Sequence, residues 1–179
     1  MREIPHADLA VAAWANGGGV TREISAEQDA DGIVWRISLA DIDAEGPFSR
    51  FAGLHRILTV VAGDGMILET PSGPLVAHPL VPVSFAGAQQ VVGRLRGGPT
   101  RALNVIFRPE CIRAEVTLRT GPAEIAPADA PEVIFVVSGD TRIGKRTLPP
   151  LFTLINAGEP VVLGPGAQAL RITLGRKHP

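Results

Sequence analysis

Val60-Val61-Ala62-Gly63-Asp64 returns as Val136-Val137-Ser138-Gly139-Asp140, a β-branched run into a Gly-Asp turn each time. A second landmark, Gly87-Ala88-Gln89, returns as Gly166-Ala167-Gln168. The offsets are 76 and 79 residues, so the landmarks keep their order with three residues of insertion between them. Self-similarity of this kind means that a supersecondary unit has been duplicated. A strand into Gly-Asp, with Gly-x-Gln some 24 to 27 residues later, has the rhythm of a cupin jelly roll. The expected fold is all-β: a bicupin, two tandem jelly-roll-like β-barrels packed together. Residues 1–120 are expected to form the N-terminal cupin barrel with the ligand pocket. Residues 121–179 are expected to form the C-terminal cupin-like barrel, partly completed by N-terminal strands. The run from Thr120 to Pro131, T-G-P-A-E-I-A-P-A-D-A-P, reads as the connector.

Composition agrees with that class. Twenty glycines and sixteen prolines in 179 residues leave few intervals long enough for a helix of average length. The apolar runs are short and β-branched, and Gly or Pro punctuates them, as in sandwiches and barrels. The formal net charge is −1, so no overall positive field exists to hold nucleic acid or an anionic membrane. A single cysteine, Cys111, excludes an internal disulfide and fits a reducing compartment. The opening M-R-E-I-P-H-A-D lacks a signal-type apolar stretch, and no run reaches the length of a membrane span. A cytoplasmic location is the expectation.

The most unusual local chemistry lies in Trp14–Ile24, W-A-N-G-G-G-V-T-R-E-I, and its echo W-R-I-S at 35–38. Residues 3 to 13 read as an edge strand leading into the first motif. Three consecutive glycines are costly to order. They suggest a place where backbone N–H groups of Gly17 to Gly19 approach a ligand. Ile33 to Ile42 reads as a strand with Trp35, Ile37 and Leu39 on one face and Arg36, Ser38 and Ala40 on the other. Asp41 to Phe51 reads as a loop anchored by Phe48 and Phe51.

Metal chemistry finds little support in the sequence. His6, His55, His78 and His178 never stand in His-x-His spacing, and no metal ligand or cofactor is assigned. Cys111 has no histidine near it in sequence and reads as a small buried thiol. The glycine run lacks the Lys-Ser/Thr ending of a phosphate loop. What remains is Arg22, Arg36 and Arg56 with Trp14, Asn16, Phe48 and Asn104. If Arg36 points into a barrel, its charge needs a partner. Glu23 can supply one, or a ligand carboxylate can, since a guanidinium fork suits bidentate carboxylate recognition.

These motifs, W-x-N-G-G-G-x-T-R-E-I, W-R-x-S-x-A-x-I at 35–42, G-P-F-S at 46–49 and L-N-V at 103–105, resemble the HutD/Ves family over nearly the whole chain. The resemblance implies a metal-free bicupin with a small-molecule-binding, regulatory role linked to histidine utilisation. It implies a formylglutamate-like acid as ligand and brings no established enzymatic activity. The chain departs from the family's usual residues at Ala15, Ala52, His55 and Ala102. The expected ligand-binding set is Trp14, Asn16, Gly17, Gly18, Arg22, Glu23, Arg36, Phe48, Arg56 and Asn104, with no catalytic residue assigned. Two other readings stay open: a metal-free cupin enzyme using Glu23 as base on a small acid, and a structural or dimerisation protein. The sequence is compatible with a homodimer.

Overall fold

Runs such as Arg56–Ala62 and Ala102–Phe107 are too short and too rich in β-branched residues for helices. They bury themselves by pairing with one another. In the computed structural model, which describes residues 1–177, they form nineteen strands and one turn of 3-10 helix at His6–Asp8. His178 lies outside the described residues. The chain divides into two compact units, Ala10–Ile112 and a second one made of Met1–Leu9 with the chain from Arg113 onward.

The first unit holds β2 (Val11–Ala13), β3 (Gly19–Asp29), β4 (Gly32–Ile42), β5 (Gly46–Pro47) and β6 (His55–Ala62). It continues with β7 (Met66–Thr70), β8 (Gly73–Ala77), β9 (Val83–Ala86), β10 (Val92–Leu95) and β11 (Thr100–Phe107). One sheet has the order β2-β3-β4-β11-β6-β9 and the other β5-β10-β7-β8. Ala40, Ile42, Leu58, Val60 and Ala102 from the first sheet meet Met66, Leu68 and Ala77 from the second in one buried cluster.

The second unit takes β1 (Arg2–Ile4), then β12 (Ile112–Thr120), β13 (Ala123–Ile125), β14 (Glu132–Ser138) and β15 (Thr141–Ile143). It ends with β16 (Arg146–Leu148), β17 (Thr153–Ile155), β18 (Val161–Leu163) and β19 (Gln168–Arg176). Its sheets run β1-β17-β14-β19-β12 and β13-β18-β15-β16. Ile134, Val136, Leu154 and Ala169 pack there against Ile125, Ile143, Val161 and Leu163.

The duplication is visible strand by strand. The order β4-β11-β6-β9 matches β12-β19-β14-β17, and β5-β10-β7-β8 matches β13-β18-β15-β16. Chain order is kept throughout. The first landmark falls on equivalent strands, β6 and β14, and its glycines have a common cause. Gly63 (φ +96°) and Gly139 (φ +82°) occupy the left-handed region, and a Cβ on either would lie within 3 Å of the residue that leads into β11 or β19, Pro99 or Ala167. The second landmark is not equivalent. Gly87 follows β9, whereas Gly166 follows β18, the counterpart of β10.

Three local expectations change. Residues 3–13 form two short strands on the edges of different sheets, because Pro5 and the turn at His6–Asp8 interrupt them. The expected connector at 120–131 contains β13, which pairs with β18, and the division between units falls at the start of β12. Cys111 is half-buried beside Arg108 in the turn before β12 rather than a fully buried thiol.

Candidate functional site

The alternation read in β4 decides what faces the interior of the first unit. Register places Ile106 of β11 opposite both Arg36 of β4 and Arg56 of β6. Two residues along, Asn104 stands between Ser38 and Leu58, and two further on Ala102 stands between Ala40 and Val60. Since side chains alternate along a strand, these nine share one face. That face grades from two arginines, through a hydroxyl and an amide, to alanines and valine.

The charged end opens into a cavity of about 460 Å³. Trp14, Asn16, Arg36, Phe48, Arg56 and Asn104 from the expected set line it, together with Ala12, Ala13, Ala15, Thr21, Ser38, Ala40, Pro47, Ser49, Phe51 and Ile106. Sequence reading missed most of the second group. Ser38 and Ala40 were legible from their alternation with Arg36. Thr21 required knowing that β3 pairs Thr21 with Ala40.

Arg56 is the central group. It is 8 % exposed, and its Nε and Nη2 donate to Asn104 Oδ1 at 2.9 and 2.6 Å. The Phe48 ring lies 4.5 Å from its guanidinium carbon and Phe85 lies 5.7 Å away, both cation–π distances. Phe48 reaches that position because Gly93 leaves room, since a Cβ there would sit 2.8 Å from the ring. Among the described residues no carboxylate lies within ion-pair distance of Arg56. Burial, and then the charge of Arg36, lower its pKa to about 10. It is still a cation at neutral pH.

Arg36 Nε lies 3.1 Å from Glu23 Oε2, an ion pair by distance. The contact is off the N–H direction, so that buried Nε–H makes no hydrogen bond. Glu23 itself is half-exposed and does not line the cavity. Arg22 is also outside it. Thr21 and Arg22 alternate, so Arg22 lies on the opposite face of the sheet. There, Arg22 and Arg101 both donate to Asp41. Partial burial pushes the Asp41 carboxyl up, but the hydrogen bonds of Arg101 and Arg22 outweigh it and hold it below its ordinary value of 3.8. A carboxyl lowered by folding stabilises the fold above its unfolded pKa, and the gain is lost as pH falls through the folded value. Asp41→Asn is therefore expected to cost stability at pH 6 and progressively less below about pH 4. Denaturant titrations of both proteins across that range measure it, and a cost that does not shrink would refute the ion-pair account.

The glycine run serves the backbone rather than a ligand. Gly17 N–H donates to the Trp14 carbonyl and Gly18 N–H to Asn16 Oδ1, while the Gly18 carbonyl accepts from Asp43 and Ala44. The expectation that Gly17 and Gly18 offer free N–H groups is corrected, and neither lines the cavity. Trp14 is fixed by its Nε1–H, which donates to Thr21 Oγ1 at 2.8 Å.

Cupin barrels often hold a cation. Here the lining residues include no His, Cys, Asp or Glu, and two guanidiniums would repel a metal ion. By its chemistry this donor set suits an anion better than a metal ion.

A HutD family model matches residues 6–175. The chain belongs to the HutD family. It is 38 % identical over 135 residues to an uncharacterised 21.2 kDa protein of the hutC 3′ region of Pseudomonas putida, covering 73 % of this chain and 70 % of that one. A HutD structure from Pseudomonas fluorescens SBW25, described as a formate condition, superposes with TM-score 0.86 at 31 % identity over 99 % of both chains. A cupin 2 conserved barrel domain protein from Leptotrichia buccalis shares the fold, at TM-score 0.60 and 13 % identity over 97 % of this chain and 96 % of that one. The family is associated with histidine-utilisation genes, and its bicupin fold is the one found in this chain.

Within this HutD fold the two units treat equivalent positions differently. Counting from the shared Gly-Asp turn, Arg56 of β6 corresponds to Glu132 of β14, and Asn104 of β11 to Arg171 of β19. In the second unit Glu132 is 2 % exposed and its carboxylate takes the Arg171 Nε–H at 2.9 Å. That pair neutralises itself. In the first unit the cation has an amide and two aromatic rings instead.

Proposed function

We propose that the protein binds a small carboxylated metabolite in the cavity of its first unit, without a metal, as a regulatory or sensor component of histidine or amino-acid utilisation. The observation that carries this reading is Arg56, buried beside a cavity with no carboxylate to neutralise it. Desolvating a cation without a counter-ion is costly, and the duplicated position shows the ordinary remedy, an internal Glu-Arg pair. Leaving the counter-ion out makes sense where a ligand brings it. In this reading Arg56 and Arg36 take carboxylate oxygens, Asn16, Ser38 and Asn104 orient polar groups, and Trp14, Phe48 and Phe51 cover the remainder. Family membership supports a formylglutamate-like acid as the first candidate.

Thermal unfolding against N-formylglutamate, glutamate, histidine and urocanate, each with chelator, tests this. A ligand at about 100 times its dissociation constant should add roughly 2.7 kcal/mol, a rise of about 5 to 10 °C for a chain of this size. No shift with any acid would overturn the reading.

A further inference from the structure

Arg36 and Arg56 flank Ile106 on the same face, so their Cα atoms are two strand spacings apart, about 10 Å. Both line the cavity. Two guanidiniums rooted on separate strands can each take a carboxylate, so a ligand with two acidic groups can engage both. One of the two already has an anion at hand. Glu23 lies on the cavity face, opposite Ser38, and its carboxylate is 3.1 Å from Arg36 Nε. That contact is poorly made. The Nε–H is buried and misaligned, while the Glu23 side chain is 53 % exposed. Among the described residues Arg36 is its sole ion-pair partner, and a misaligned pair with one half-exposed member is weak.

We infer that Glu23 is a displaceable counter-ion, which competes for Arg36 with the second carboxylate of a dicarboxylic ligand whose first carboxylate sits on Arg56. This rests on the carboxylate-binding reading above and adds the part that Glu23 plays in it. Glu23 then opposes binding rather than assisting it, in two ways. It occupies the guanidinium, and its own charge repels an incoming anion. Its position beyond the cavity lining gives it solvent to move into. The effect is selective, because a ligand with one carboxylate on Arg56 leaves the Glu23–Arg36 pair in place.

Glutarate and valerate test this, since they share a chain length and differ in one carboxylate. Calorimetric titration into wild type and Glu23→Gln should show glutarate tightened by on the order of five-fold and valerate by less than about two-fold. In an Arg36→Met background, where only the repulsion by Glu23 is left to relieve, the same substitution should tighten glutarate by less than about two-fold. Equal gains for the two acids, or weaker glutarate binding in Glu23→Gln, would overturn the role given to Glu23 and leave carboxylate binding standing. Failure of both acids to bind wild type, where neither calorimetry nor thermal shift responds at millimolar concentration, would instead sink the carboxylate reading and this inference with it.

Discussion

Arg56→Met is expected to abolish ligand binding while leaving the unliganded fold as stable as wild type, or slightly more so. Both halves follow from the absence of a carboxylate beside this guanidinium. Hydrogen bonds to a charged group contribute about 1.5 to 3 kcal/mol each net, and a carboxylate on Arg56 would make up to two of them. Loss of the fork should weaken a bound acid at least about 100-fold, or roughly 2.7 kcal/mol. Stability moves differently. Lowering the arginine from its ordinary value to about 10 means the charged form is disfavoured in the folded state, by about 3 kcal/mol for such a shift. For a base lowered by folding, that cost is fully present at neutral pH and is relieved only as pH rises through the folded value. Methionine removes it. Against this stand the two hydrogen bonds to the one Asn104 Oδ1, together about 1.5 to 3 kcal/mol, and the cation–π contact, about 0.5 to 2 kcal/mol. The terms nearly cancel. Thermal melts with and without the best acid from the panel read both quantities from one protein. A drop of more than about 2 kcal/mol without ligand would show that Arg56 is a structural group. Retained affinity would show that the acid sits elsewhere.

Gly19→Ala is expected to be the most damaging single substitution in the glycine run. A Cβ at Gly19 would lie 2.2 Å from the Asp41 carbonyl oxygen, a backbone atom held by the pairing of β3 with β4. Neither strand can give way without breaking hydrogen bonds on both sides. The expected cost is at least about 3 kcal/mol, which lowers the melting temperature by roughly 6 to 12 °C. Gly17 and Gly18 provide the comparison. Gly17 has open space around it but a φ of +68°, so alanine there should cost about 1 kcal/mol. A Cβ on Gly18 would meet only the movable Asn16 side chain at 3.3 Å, so Gly18→Ala should have the smallest effect on stability. Denaturant midpoints for the three alanine variants give the order. If Gly18 proved worst, the run would matter through its carbonyl and amide contacts rather than through close backbone approach.

Much of the fold could be read from residues because duplication and alternation are local signals. Val60-Val61-Ala62-Gly63-Asp64 and its copy mark equivalent strands because the glycine in each turn must adopt a left-handed φ against the residue that leads into a neighbouring strand. The Gly-x-Gln echo marked nothing equivalent, since short Gly-containing triplets recur wherever strands turn. Arg36, Ser38 and Ala40 were placed on one face by period two alone. Arg22 shows where the same reasoning stops. Its motif carries it beside Glu23 and Thr21, yet one step along the strand sends it to the other face, where Asp41 and Arg101 wait from β4 and β11.

The sequence by itself determined that this is an all-β, duplicated HutD chain, which faces of its long strands match, and that arginine, amide and aromatic groups gather in its first unit. Those properties reside in spacing along one strand. Tertiary structure alone decided that the buried Arg56 has no counter-ion among the described residues. That depends on which strands become neighbours: β11 sets Asn104 against Arg56, β3 offers Glu23 to Arg36, and β4 gives Asp41 to Arg22. A buried charge is defined by the groups within a few ångströms of it, and residues 48 positions apart become such groups only once the sheet has formed.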